Sequence, residues 1–316
     1  MADIRIGTSG WSYPAGQGTW NGIFYPVPPG RRSSRAGAFD ELRFYAEHFN
    51  TVEINSTFYG VPAPATARGW AERTPEGFEF SLKLFQKFTH PGMFLKATGK
   101  DPWNLGQEDV DEFRAAIDPL ASAGKLGALL AQFPASFKNE PDSCAYLAWL
   151  LERFQEYPVA VELRHRSWSD QPAAALQLLA AFGAAWAQID EPKFRSSIRQ
   201  DVLPNVRTFY YLRLHGRNAA QWWSHDKSED RYNYLYSADE LHPYAEAARE
   251  SSREMKKAYL YANNHFSAKS VANAAILKHD LGQPLPGEYP QEFVDRYPDL
   301  KGLVKVLPDP LLRTPS

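Results

Sequence analysis

Apolar and polar residues alternate with a period of two in short runs along the chain, and each run ends downstream on ionisable or amide side chains. In TVEIN, Val52 and Ile54 point one way while Glu53 and Asn55 point the other, as the pleat of a strand requires. VAVELRH opposes Val159, Val161 and Leu163 to Ala160, Glu162 and Arg164, and YYLRLHGR opposes Tyr210, Leu212 and Leu214 to Tyr211, Arg213, His215 and Arg217. FSLKL sets Ser81 and Lys83 against Phe80, Leu82 and Leu84; WAQID sets Gln188 and Asp190 against Ala187 and Ile189. Reading this period along the chain predicts eight strands, near 4–9, 51–55, 79–84, 127–133, 158–164, 184–190, 208–215 and 257–263.

Helical periods fall between most of these strands. FDELRFYAEHF has Asp40 in its first turn, DVDEFRAAIDPLASAG stops at Gly124, and CAYLAWLLERF, AAALQLLAAFG, ADELHPYAEAARESSREM and AKSVANAAILKHDLG supply four more. The sixth and seventh strands have no clear helix between them. Strand and helix repeated eight times predict an α/β fold, a single (β/α)8 TIM-type barrel over residues 1–281. Residues 282–316, which include QPLPGEYPQEF, read as a Pro-rich extension packed on the barrel or partly mobile. Helix-to-strand joins are short, at Lys125 and Gly183, whereas residues 10–38, 85–108, 191–207 and 216–237 are extended. Elaboration of one end alone marks the site-bearing face, because the other loops need only reverse the chain.

Helices around a barrel present it with apolar surface, so the polar strand face is expected to look inward and its downstream residues to meet at one rim. Glu53, Asn55, Lys83, Gln132, Glu162, Arg164, Asp190, Arg213, His215 and Asn263 are the candidates. Aromatic usage adds to this picture. Trp11, Tyr13, Trp20, Trp103, Trp168, Trp222 and Trp223 all follow strand ends, where they would stack on a ring-bearing ligand or cover a pocket.

A net charge of −2 argues against a globally basic nucleic-acid protein but leaves a local basic patch open. No apolar stretch approaches the roughly 20 residues that span a bilayer. The first strand begins at Ile4, so no targeting segment is expected, and the single Cys144 has no intrachain disulfide partner. Cytoplasmic residence is the expectation. Cys144 sits in an apolar helical pattern, which reads as packing rather than as a nucleophile.

The segments GTSGWSY at 7–13, FYP at 24–26, FNTVEINSTFY at 49–59, FSLKL and FTHP within 80–91, LGALLAQFPASF at 126–137, VAVELRHRSW at 159–168, YLRLHGR at 211–217, YNYLYS at 232–237 and NNH at 263–265 resemble the YecE-like proteins, also called domain of unknown function 72. The resemblance runs from Ile4 to about Leu281 and implies a TIM-type barrel without an established activity. This chain departs from that family in two places. Its first loop carries the extra residues PAGQGTW and PPGRRSSRAGAF around Trp20, and Ala135 replaces a proline usual in that segment.

Lys83, Arg164, Arg213 and Arg217, with Lys87, Arg195 and Arg199 in adjoining loops, are candidates to grip phosphate or carboxylate. The alternative is that Arg164 and Arg213 neutralise Glu53 and Glu162 inside the barrel. Glu53, Glu162, Asp190 and His215 are the candidate acids and bases, or, if a divalent metal is bound, its ligands. No H-E-x-x-H spacing supports the metal, no nucleotide-cofactor motif is found, and no His near Ser9 or Ser56 suggests a triad. His90 and His265 are balanced between functional and turn-stabilising roles.

The leading expectation is an enzyme acting on a small anionic, phosphate- or carboxylate-bearing molecule at the C-terminal rim. In it Arg213, Arg217 and Lys83 hold the anion, Glu162 and Glu53 move protons, and His215 assists or binds metal. Asn55, Gln132, Arg164 and Asn263 complete the substrate contacts, with Trp11, Tyr59, Trp168 and Trp222 stacking and excluding water. Fold-level analogy with endonuclease IV barrels raises a second reading, a phosphodiester nuclease or repair-like enzyme. A third is a non-catalytic nucleotide or nucleic-acid binding module. A fourth, glycoside hydrolysis, depends on the separation of Glu53 and Glu162. No membrane or protein partner is indicated.

Overall fold

The computed structural model describes residues 2–27, 39–200, 208–222, 227 and 229–307. Its strand segments are β1 (Asp3–Thr8), β2 (Thr51–Ile54), β3 (Glu79–Lys83), β4 (Leu126–Gln132), β5 (Val159–Glu162), β6 (Ala185–Trp186), β7 (Gln188–Asp190), β8 (Phe209–Leu214) and β9 (Lys257–Ala262). β6 and β7 are two halves of one strand interrupted at Ala187, whose N–H still donates to Val161 O at 2.9 Å. Neighbours pair in parallel in the orders β2-β3-β4-β5-β6 and β7-β8-β9-β1. The ring is completed where Ser9 bridges Glu53 and Gly10 N donates to Glu53 O at 2.7 Å. The eight strands therefore follow one another in chain order around a (β/α)8 barrel.

The β1–β2 seam depends on close approach. A Cβ on Gly7 would lie 2.2 Å from the Thr51 carbonyl oxygen, so only glycine lets the two backbones come this near. Tyr45, from the helix Glu41–His48, bridges the same seam: its hydroxyl accepts from Thr8 N at 2.9 Å and donates to Thr51 O at 3.1 Å. That helix starts where expected, with Asp40 capping Arg43 N at 3.0 Å. The helix Gln107–Ser122 ends ahead of Gly124, which adopts φ +66°.

Two apolar layers result. One fills the space between strands and helices, and the other, made of Ala128, Leu130, Ala160, Ala185, Ala187, Phe209, Tyr211, Tyr259 and Tyr261, plugs the barrel interior. Ascending the same inward strand faces past this plug come Glu53, Lys83, Glu162 and Arg213, so the polar residues occupy the top layer of an otherwise filled cylinder.

The long strand-to-helix join at 85–108 contains two helices of its own, Gln86–Thr89 and Pro91–Thr98. Among the described residues between β7 and β8 there is no helix, and residues 201–207 lie outside the description, as does Trp223. The tail packs through residue 307: Tyr289, Phe293 and Leu300 are buried, and Tyr289 meets His48 edge-on at 4.5 Å. Among the described residues no helix is long and apolar enough to cross a membrane.

Candidate functional site

Arg213, at the upper end of β8, is almost completely enclosed between two carboxylates that are themselves fully buried. Its Nε and Nη2 donate to the two oxygens of Glu53 at 2.9 and 2.7 Å, and its Nη1 donates to Glu162 Oε2 at 2.5 Å. Glu53 also accepts from Ser9 Oγ and Tyr211 OH, each at 2.7 Å. Glu162 Oε1 takes Arg164 Nε at 2.7 Å and faces His215 Nε2 at 3.4 Å. Burial alone would raise the Glu162 pKa, but the guanidiniums of Arg213 and Arg164, with His215, outweigh it and hold the carboxyl well below its usual range.

Burial pushes His215 down to about 4 against the opposing pull of Glu162, so it is neutral near pH 7. Asn263 Nδ2 donates to its Nδ1 at 2.8 Å, which leaves Nε2–H turned to Glu162. This closed web joins Glu53, Glu162, Arg164, Arg213, His215 and Asn263 from β2, β5, β8 and β9. The neutralising alternative for Arg213 is the arrangement observed. Its N–H groups are committed internally, and it is not presented to a ligand.

A pocket of about 370 Å³ opens above the web on the C-terminal side of the strands. Lys83 ends β3, Gln132 ends β4, Arg164 follows β5, Glu191 follows β7, and Phe58 and Tyr59 follow β2; all line this pocket with His90, Trp222, Arg231 and Tyr232. Lys83 Nζ lies 3.8 Å from the centre of the Phe58 ring. Burial, reinforced by the neighbouring Arg213, pushes it down to about 7, with Glu162 pulling the other way. Burial also raises Glu191, only partly offset by Arg164, whose Nη1 lies 3.4 Å from Glu191 Oε2. That oxygen makes no hydrogen bond. Burial pushes His90 down to about 3, so it too is neutral.

Several sequence candidates are placed elsewhere. Asp190 faces the helices rather than the rim, because Ala185 and Ala187 take the inward positions of that strand. It accepts from Arg217 Nε at 2.8 Å, Tyr236 OH at 2.6 Å and Tyr244 OH at 2.7 Å, and Arg217 continues to Glu240 at 3.0 Å. Asp190 and Arg217 therefore form a separate ion-pair cluster between strand and helix. Trp168 is fully buried, its indole N–H donating to Phe137 O at 2.9 Å, and Trp11 packs edge-on against Trp70 at 6.0 Å. Neither lines the pocket.

Asn55 is half-buried at the start of a short 3-10 turn, and its Oδ1 has no hydrogen-bond partner. Lys87 pairs with Asp109 at 2.5 Å. His265 stacks on Tyr13 at 4.4 Å. The four residues considered as metal ligands do not converge: Glu53 and Glu162 bracket a guanidinium and Asp190 points away. Among the described residues no group of three or more His, Cys, Asp or Glu side chains is arranged to hold a metal ion.

Glu191 was missed by sequence reasoning. Alternation assigned the inner face to Asp190, and beyond the strand's end, next to Pro192, that rule no longer orients a side chain. An acidic residue opening the extended 191–207 stretch was the only available signal. Arg231 and Tyr232 lie far from any strand end, where alternation orients nothing; Tyr232 opens the YNYLYS segment of the family resemblance, which by itself gives it no place in the site.

Comparison with known proteins agrees with this architecture. The family model described as "Protein of unknown function DUF72" matches residues 5–292. The UPF0759 protein YunF of Bacillus subtilis is 28% identical over 297 residues, covering 92% of this chain and 99% of that one. The UPF0759 protein YecE of Escherichia coli K12 is 31% identical over 125 residues, 39% of this chain and 41% of that one. A crystal structure of a DUF72 family protein from Thermotoga maritima MSB8 is 32% identical with a TM-score of 0.71, covering 89% of this chain and all of that one. One from Enterococcus faecalis V583 shares the fold at 24% identity and a TM-score of 0.75, covering 90% and 98%. A family match over nearly the whole length, together with a 32% identical relative covered end to end, means that the chain belongs to the DUF72 family.

Proposed function

We propose that the pocket above the Glu53–Arg213–Glu162 web binds a small anionic molecule and exchanges protons with it. The observation that carries this reading is the meeting of Lys83, Arg164 and Glu191 on one concave surface at the strand ends. Arg164 is anchored by Glu162 yet lines the pocket, so it can receive an anion without being reoriented. Glu191, its pKa raised by burial and one oxygen without a hydrogen bond, is suited to deliver or accept a proton there. Tyr59, Trp222 and Tyr232 supply aromatic walls that limit access of water. Arg213 acts beneath this surface by holding Glu162, and thereby Arg164, in place.

The test is calorimetric titration of the full chain with inorganic sulfate, whose charge is constant near neutrality. Binding is expected, and it should weaken as pH rises from 6 to 8 because Lys83 loses its proton across that range. Absence of binding at low salt, or binding with no pH dependence, would remove the reading.

A further inference from the structure

Lys83 is placed unusually for a lysine on a barrel strand. Among the described residues its ammonium nitrogen has no hydrogen-bond or ion-pair partner, although a charged ammonium has three protons to place. The nearest carboxylates, Glu53 and Glu162, are already occupied by Arg213 and Arg164. What Lys83 meets instead is the face of Phe58, two guanidiniums whose charge disfavours its own, and the open pocket. The Phe58 face attracts a cation weakly, and burial with the two guanidiniums outweighs that attraction. A neutral amine on the wall of the pocket fits this setting well, and that is the form in which lysine is a nucleophile.

We propose that Lys83 forms a Schiff base with the carbonyl group of a small aldehyde or ketone that also carries the carboxylate or phosphate held beside Arg164. This rests on the anion-site reading above and gives that site a reaction. The amine nitrogen attacks the carbonyl carbon and the C=O electron pair moves to oxygen, which takes a proton from the Glu191 carboxyl. The nitrogen then releases a proton to the Glu191 carboxylate, giving a neutral carbinolamine. Glu191 returns that proton to the hydroxyl as the C–O bond breaks, so water leaves and the nitrogen lone pair forms the C=N bond of an iminium. The net change is amine plus carbonyl plus one proton to iminium plus water, with no oxidant, reductant or metal consumed. The iminium withdraws electrons from the adjacent carbon, which prepares it for proton loss or carbon–carbon cleavage.

The experiment is reductive trapping of the wild-type full chain with glyoxylate and cyanoborohydride at pH 7, followed by peptide mapping. Hydride reduces the iminium to a stable secondary amine, so the modified lysine keeps a mass tag. An amine pushed down to about 7 is half neutral at that pH, so Lys83 should be labelled on the order of 100-fold faster than an ordinary lysine. Acetaldehyde, which lacks the anion, should show a much smaller preference, and excess sulfate should slow the glyoxylate reaction. Glu191→Gln should trap more slowly, because the proton donor for dehydration is gone. Labelling spread over surface lysines without preference for Lys83 would overturn the proposal. If sulfate still binds in that case, only the amine chemistry falls; if sulfate does not bind either, the anion-site reading falls with it.

Discussion

Arg213 grips Glu53 in a two-pronged fork, Nε to Oε2 at 2.9 Å and Nη2 to Oε1 at 2.7 Å, at the one level of the barrel where the apolar plug gives way to charge. With Glu162 on its third nitrogen, the guanidinium neutralises two carboxylates that water does not reach. Removing one member of such a set strands the others. Arg213→Met is therefore expected to destabilise the fold by about 3–5 kcal/mol. Arg213→Lys should recover little, because an ammonium cannot reproduce the planar fork. Urea unfolding of both variants checks this, and a Lys variant as stable as the parent would show that the geometry is unimportant.

Lys83 carries the opposite signature, a cost rather than a support. Its pKa is 10.5 in an unfolded chain and about 7 in the folded one. Between those values the unfolded state binds the extra proton, so stability rises with pH and the full penalty applies below about 7. Lys83→Met should thus stabilise the protein by roughly 2–4 kcal/mol near neutral pH, with the gain shrinking toward pH 10. Thermal melts of the pair at pH 7 and pH 10 measure it; equal stability at pH 7 would mean that Lys83 is not penalised in the fold.

Acid should destabilise the molecule through its enclosed histidines. Burial holds His215 and His265 down to about 4 and His90 to about 3, all below the ordinary 6.5. As pH falls from 6.5 the unfolded chain takes up protons that the folded one refuses, so the unfolding free energy should drop through the range 6.5 to 4. His215→Asn should flatten that slope by about one proton per molecule. A flat stability profile over this interval in the parent would contradict the buried, neutral assignment.

Gly7→Ala tests the seam. A methyl at that position meets the Thr51 carbonyl at 2.2 Å and the Tyr45 hydroxyl at 2.9 Å, neither of which can retreat without parting β1 from β2. A loss of at least ~2 kcal/mol is expected, large for adding one methyl. Faster amide exchange at Gly10, whose N–H crosses the seam to Glu53 O, should accompany it. A variant with unchanged melting and exchange would show that the seam is not closely packed.

Strand positions, the parallel order and the barrel were legible along the chain, because they follow from a period-two pattern repeated eight times between helical segments, and such a pattern is local. So was the inward placement of Glu53, Lys83, Glu162 and Arg213, which alternation alone orients. Which charges would be used up on one another was decided only by the tertiary structure. Arg213 and Lys83 read alike as strand-end cations. Their separation into a saturated guanidinium and an amine facing open space depends on distances between strands far apart in sequence. Asp190 and Glu191 exchanged places for the same kind of reason: the inward positions of that strand went to Ala185 and Ala187, which set Asp190 on the outer face toward Arg217 and Tyr244, and left its neighbour, beyond the reach of any alternation rule, on the wall of the pocket.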